Sequence, residues 1–208
     1  MRNLPCAFLV LVAATILSKS APKEADIRSI NFKNFSFPWD HRMEHPPSYG
    51  PSPWHWSKSL PESKIQVVNG MYRFYEPNQS RLERERAPLL RVHAVVYGDL
   101  NANGTEDAAI HLNYSTGGTQ NWDYLYIYRL VGGHPEPMGI LKAGSRADGG
   151  LYRTAIQNGL LVLDFGDAER RAGDCCSEGY IRVRYRWRNG AFVEEGAREH
   201  GDIDLNQH

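Results

Sequence analysis

Three Asn-Gly dipeptides, at 69–70, 158–159 and 189–190, each lie between short runs of β-forming residues. Asn-Gly favours the two-residue type I′ turn, whose central residues both take positive φ and whose twist matches that of an antiparallel strand pair. Three such turns in one chain point to a meander of hairpins. The flanking runs agree: 65–68 and 71–75 around the first turn, 151–156 and 160–165 around the second, 180–187 and 192–194 around the third. Segments 89–97, 108–114 and 137–141 are of the same β-forming type. Tyr124, Tyr126 and Tyr128 alternate with Leu125, Ile127 and Arg129, a period of two, and Gly132-Gly133 turns that strand toward 137–141. The single helix signal is 79–86, ended by Pro88. The expectation is a mainly β fold, an antiparallel meander of hairpins arranged as a sandwich or half-barrel over residues 63–200, with a short tail at 201–208.

The first twenty residues have another character. Arg2 supplies a positive start, 4–17 is apolar apart from Pro5, Cys6 and Thr15, and Ser18 and Ser20 are small residues at the spacing a signal peptidase reads. This is the layout of a secretory signal peptide, with cleavage expected after Ser20. The apolar run falls short of the roughly 20 residues that span a bilayer, and no later segment is long enough either. Cys6 precedes the apolar run, so the expected mature chain is free of lipid and secreted or periplasmic. Loss of 1–20 removes Arg2 and Lys19, leaving a charge of about −2. That balance supplies no basic field for nucleic acid or acidic lipid. A monomer is expected.

Residues 21–62 hold Pro22, Pro38, Pro46, Pro47, Pro51, Pro53 and Pro61 together with Trp39, Trp54 and Trp56. Proline at this density opposes helix and central strand. Two readings stay open: an extended arm docked through its aromatics, or a disordered spacer.

The stretch 99–107 carries the clearest chemistry. Asp99, Asn101, Asn103 and Asp107 place side-chain oxygens at positions 1, 3, 5 and 9, Gly104 permits a sharp turn at position 6, and Thr105 offers a backbone carbonyl at position 7. Ca²⁺ takes six to eight hard oxygen ligands, and alternate Asp/Asn positions curling round a turn suit it. Position 12 is Ile110 where an EF-hand needs a bidentate Glu. Asn, Asp and Gly are also the ordinary residues of turns, so the loop can hold itself together without metal. Segment 98–109 resembles the D-x-D-x-D-G-x-x-D calcium hairpin of FG-GAP and VCBS repeats, with Asn101 and Asn103 where Asp is commoner. More broadly, 97–193 resembles a family of uncharacterised exported bacterial proteins that share a G-D-L-N-x-x-G-x-x-D-A block, a turn like Gly117-Gly118, a later Gly-Asp or Ala-Asp turn, and a Cys-Cys pair before a final hairpin. The resemblance covers about half the chain. It implies an extracytoplasmic β domain and no particular activity. One copy of the block does not make a propeller.

Once Cys6 is removed, Cys175 and Cys176 are the only cysteines. Neighbouring Cα atoms lie about 3.8 Å apart, closer than the usual disulfide range, so a vicinal bridge closes a strained, tight ring. Free thiols, bonds to another chain, or a soft metal are the alternatives.

Arg182, Arg184, Arg186 and Arg188 alternate with Ile181, Val183, Tyr185 and Trp187, which puts four guanidinium groups on one strand face. That stripe is a candidate for an anionic cell-wall polymer, or a solvated face paired with acids such as Glu194, Asp164 or Asp167. Trp122 with the three tyrosines offers a sugar- or protein-binding platform, or a sheet face covered by the arm. His41-Arg42-Met43-Glu44-His45 fits H-x-x-E-H, but that zinc chemistry needs a helix that Pro46 and Pro47 oppose. Sequons begin at Asn34, Asn78, Asn103 and Asn113. The sequence therefore points to a binding or structural module with a calcium-stabilised loop, its partner a cell-envelope polymer or protein. The rivals are an exported hydrolase whose residues are scattered along the chain, and a polymer binder using the arginine stripe.

Overall fold

All three Asn-Gly turns form with the expected backbone: Asn69, Asn158 and Asn189 have φ of 52°, 52° and 50°, and the glycines after them 79°, 73° and 74°. The computed structural model describes residues 26–44, 55–57, 59–118, 121–145, 149–170 and 177–203. The expected signal peptide, the Cys175-Cys176 pair and His45 lie outside them.

The fold is mainly β, with antiparallel sheets of hairpins, and among the described residues no sheet closes into a barrel. Strands β1 (Ser36–Pro38), β2 (His55–Ser57), β3 (Lys64–Gln66), β4 (Met71–Arg73), β5 (Leu89–Gly98), β6 (Asp107–Ser115), β7 (Asn121–Val131) and β8 (His134–Ser145) are followed by β9 (Leu151–Gln157), β10 (Leu160–Gly166), β11 (Gly179–Arg188), β12 (Ala191–Glu194) and β13 (Glu199–Asp202). One six-stranded sheet has the order β2-β8-β7-β6-β5-β4. A second has the order β12-β11-β10-β9, with β13 also on β11, and β1 pairs with β3. Helix α1 (His41–Glu44) is a single turn. Helix α2 (Arg81–Arg86) begins after Ser80, whose hydroxyl accepts from the Glu83 amide while the Glu83 carboxylate accepts from the Ser80 amide. This capping box fixes the start two residues later than the pattern implied. Among the described residues no helix is long and apolar enough to cross a membrane.

The large sheet is buried on both faces, and the period of two sorts its residues. Ala108, Ile110, Leu112, Tyr114, Tyr124, Tyr126 and Tyr128 point to one face, where Ile27, Phe32, Phe37, Trp39 and Met43 of the N-terminal segment cover them. Ala109, Leu125, Ile127 and Leu141 point to the other face and meet Leu161, Leu163, Phe165, Val183 and Tyr185 of the second sheet. Residues 26–44 are thus a docked arm, and its aromatics do the docking. Trp39 lies 5.3 Å from Tyr124 and 5.6 Å from Tyr114, and Phe37 lies edge-on to Tyr126 at 5.4 Å. Pro38 sits where its missing N–H does no harm, at the end of β1 in a sheet of two strands. Trp56 on β2 stacks on Phe192 at 4.3 Å, under the second sheet.

Two tyrosine hydroxyls tie the arm down. Tyr126 donates to the Pro38 carbonyl at 2.5 Å, and Tyr124 donates to the Met43 carbonyl. Tyr126→Phe leaves a buried carbonyl without that donor. The expected loss is about 1–2 kcal/mol of unfolding free energy, read from urea denaturation. A loss near zero would mean that the hydroxyl does not hold the arm. The covered tyrosine face is closed to ligands, so the open platform considered from the sequence is not available there.

Candidate functional site

The β5–β6 ladder ends at Gly98↔Asp107, and the tip between them brings together all five residues proposed from sequence. The chain bends through positive φ at Ala102 (59°) and Gly104 (84°). The Asp99 carboxylate accepts from the Asn103 amide at 3.2 Å and from the Gly104 amide at 2.8 Å. The Asn103 side-chain oxygen accepts from the Thr105 amide at 2.8 Å and the Thr105 hydroxyl at 2.6 Å. Asp107 accepts from the Leu100 amide at 2.9 Å, and the Asn101 amide group reaches both its oxygens at 3.1 Å. Leu100 anchors the loop by burying its side chain in the core between the sheets.

Asp107 has no exposed surface. Burial, and after it the neighbouring charge of Asp99, push its carboxyl up to about 6 despite the amide donors. Among the described residues neither Asp99 nor Asp107 makes an ion pair. Among the same residues no three His, Cys, Asp or Glu side chains converge as a metal site. The tip thus offers two carboxylates, with amide, hydroxyl and carbonyl oxygens for the rest, a donor set for a hard cation bound weakly. At the next position Glu106 pairs with Arg28 of the arm, one bond being 2.8 Å, and Arg28 also lies 4.6 Å over the Tyr97 ring. The arm therefore grips the side of the tip.

The arginine stripe forms as expected on β11, and each guanidinium meets a carboxylate. Arg182 holds Asp164 by two bonds of 2.7 and 2.8 Å, Arg184 reaches Glu199 at 2.8 Å, and Arg186 and Arg188 share Glu195. Asp164 is 6% exposed, so its pair is partly desolvated, whereas the outer pairs face water. An anionic polymer on this face would compete with carboxylates already seated there. In the H-x-x-E-H segment, Met43 points into the core and Arg42 pairs with Asp40.

A second constellation escaped the sequence reading. A cleft of about 370 Å³ between the two sheets is lined by His93, His111, Asn113, Asn121, Asp123 and Tyr152, with Gly149, Gly150 and Leu151. Asp123 is 8% exposed and His111 3%. One Asp123 oxygen accepts from His111 Nε2 at 2.8 Å and from the Asn113 amide at 2.9 Å, and the other from the Leu151 backbone at 3.0 Å. Because a carboxylate only accepts, this contact places the His111 proton on Nε2. The His93 ring lies edge to face with His111 at 4.8 Å. Partial burial, then His111, push His93 below its ordinary value, so it is uncharged at neutral pH. No spacing rule would have found this group, since its members come from four strands of two sheets. The one signal was polar residues such as His111 inside an otherwise apolar run.

Compared with known protein families, with curated proteins and with solved structures, the chain matches none.

Proposed function

We propose that the chain is a binding or structural β module of the extracytoplasmic space, secreted or periplasmic, in which Ca²⁺ stabilises the β5–β6 hairpin tip. The observation that carries this is electrostatic. Asp107 is a fully buried carboxylate, its neighbour Asp99 is of the same sign, and among the described residues no cationic side chain pairs with either. A divalent cation bound by Asp99, Asn101, Asn103, Thr105 and Asp107 supplies the missing charge where the cost of its absence is greatest. The signal-peptide pattern of residues 1–20 supports the compartment, and the resemblance of 98–109 to calcium hairpins supports the ion. The envelope offers a polymer or protein as partner.

The test is thermal unfolding at neutral pH with and without the ion. With an affinity on the order of 10⁻³ M, about 10 mM Ca²⁺ adds about 1.4 kcal/mol. That raises Tm by about 3–5 °C for a domain of this size. Asp99→Ala abolishes the rise. Because Asp99 also caps two loop amides, Asp99→Asn is the sharper control: it keeps an acceptor for them and loses most of the response to calcium. An unchanged wild-type Tm in millimolar Ca²⁺ would remove the ion from this reading.

A further inference from the structure

Four register breaks interrupt the ladders of the described strands, and three of them fall at the cleft. Between β5 and β6 the pairing steps from Val92↔Leu112 to Ala94↔His111, so His93 has no partner. Between β7 and β8 it steps from Trp122↔Ser145 to Tyr124↔Lys142, so that two residues of β8, Ala143 and Gly144, stand opposite Asp123. Between β9 and β10 it steps from Asp164↔Arg153 to Phe165↔Leu151 across Tyr152. A bulge bends its strand and re-aims one side chain, and bulges gather where a site is built. Here the bulges on β5 and β9 turn His93 and Tyr152 toward the same cavity, and the bulge on β8 lies across the ladder from Asp123, which closes its floor.

What they present divides into a frame and free groups. Asp123, His111, Asn113 and the Leu151 amide are locked together by the bonds given above. The His93 ring nitrogens, the Asn121 amide and the Tyr152 hydroxyl make no hydrogen bond among the described residues, and all three residues line the cleft. Tyr152 is 39% exposed. Its ring lies against Gly166, where a Cβ would come within 2.7 Å of the ring carbon Cε2, so the ring fits there because that position is glycine. Among the described lining residues there is no Lys, Arg or Glu, and the single carboxylate, Asp123, already receives three donors. With His93 uncharged, a strongly charged ligand has no counter-charge here.

We infer that this cleft binds a neutral oligosaccharide, Tyr152 lying under a sugar face and Asn121 and His93 hydrogen-bonding its hydroxyl groups. A sugar needs donors and acceptors on neutral planar side chains plus one aromatic surface for its C–H groups, and the cleft holds this set in a volume suited to a small ligand. The inference deepens the binding reading by naming the ligand class, and it requires nothing of the calcium tip.

The experiment is titration calorimetry on the full chain at neutral pH in EDTA, with cellotetraose, maltotetraose and N-acetylchitotetraose as the probes, up to about 10 mM. At least one probe gives a saturable isotherm. Tyr152→Ala weakens it about tenfold or more, as expected for loss of an aromatic contact, while Tyr152→Phe keeps most of it. Asn121→Ala weakens it by about tenfold without altering Tm, and decides the matter if Tyr152→Ala does not fold. Silence from all three probes, or undiminished affinity in Asn121→Ala and in whichever Tyr152 variant folds, overturns the assignment. The EDTA keeps this outcome separate from the calcium response, which is read on Tm.

Discussion

Replacing Trp39 by alanine lowers the unfolding free energy by about 3–5 kcal/mol and Tm by roughly 10 °C or more. The size follows from where the ring sits. Trp39 is 2% exposed and touches Tyr114, Tyr124 and Phe74, which belong to the sheet and to the chain leading into it. Removing the ring opens a cavity between the arm and the sheet that neither can close, because Pro38 and Met43 on either side are pinned by tyrosine hydroxyls. Urea denaturation, followed by fluorescence and by far-UV dichroism, reads the effect. A loss under about 1 kcal/mol would show that the arm is not part of the cooperative unit and that the sheet stands without it.

Asp107→Asn produces the second large effect, and its sign is opposite. The folded carboxyl titrates at about 6, above its value in an unfolded chain near 3.9. Between those two values the folded state holds a proton that the unfolded state has released, so Asp107 makes the protein less stable as pH rises through this window. Above 6 the full cost applies, about 3 kcal/mol. Without calcium, Asp107→Asn gains up to that amount at neutral pH, less whatever its amide loses at the Leu100 and Asn101 donors, and gains nothing below about pH 4. Glu106, Glu194 and Glu199 are held below the usual carboxylate range by Arg28, Arg198 and Arg184, and they give the opposite slope. The quantity to plot is therefore the difference between variant and wild type from pH 4 to 7 by urea denaturation. A difference that does not change with pH would sink the account. On the proposed reading calcium offsets the same cost, which makes the expected wild-type response to the ion larger at pH 7 than at pH 5.

The strands were legible because their signals are local. Asn-Gly needs only its own two residues to set positive φ, and the alternation of Tyr124, Tyr126 and Tyr128 with Leu125 and Ile127 holds whatever lies across the sheet. The five residues of the β5–β6 tip were legible for the same reason, since nine consecutive residues supply them. The arm was half legible: its proline content opposed a long helix, and α1 is a single turn, but whether Phe37 and Trp39 dock depends on a tyrosine face far along the chain. The cleft was illegible because it depends on register. Alternation with Leu90 and Val92 sends His93 to the face that His111 shares, but nothing within β5 says that the ladder skips His93 there or that Tyr152 of the second sheet comes beside it. A slip of one residue reverses the face a side chain reaches, and no pattern within a single strand announces where the slip falls.

The docked arm also dictates an order of events. Its carbonyls at Pro38 and Met43 are received by tyrosines 88 and 81 residues further on, so the segment made first has nowhere to settle until β7 exists. Long sequence separations of this kind slow folding, because a large loop must be closed before the contact returns any energy. During synthesis Phe32, Phe35, Phe37 and Trp39 stay without their sheet partners while most of the large sheet is still to come. Seating the arm is then the step that seals one whole side of the sheet, late and all at once.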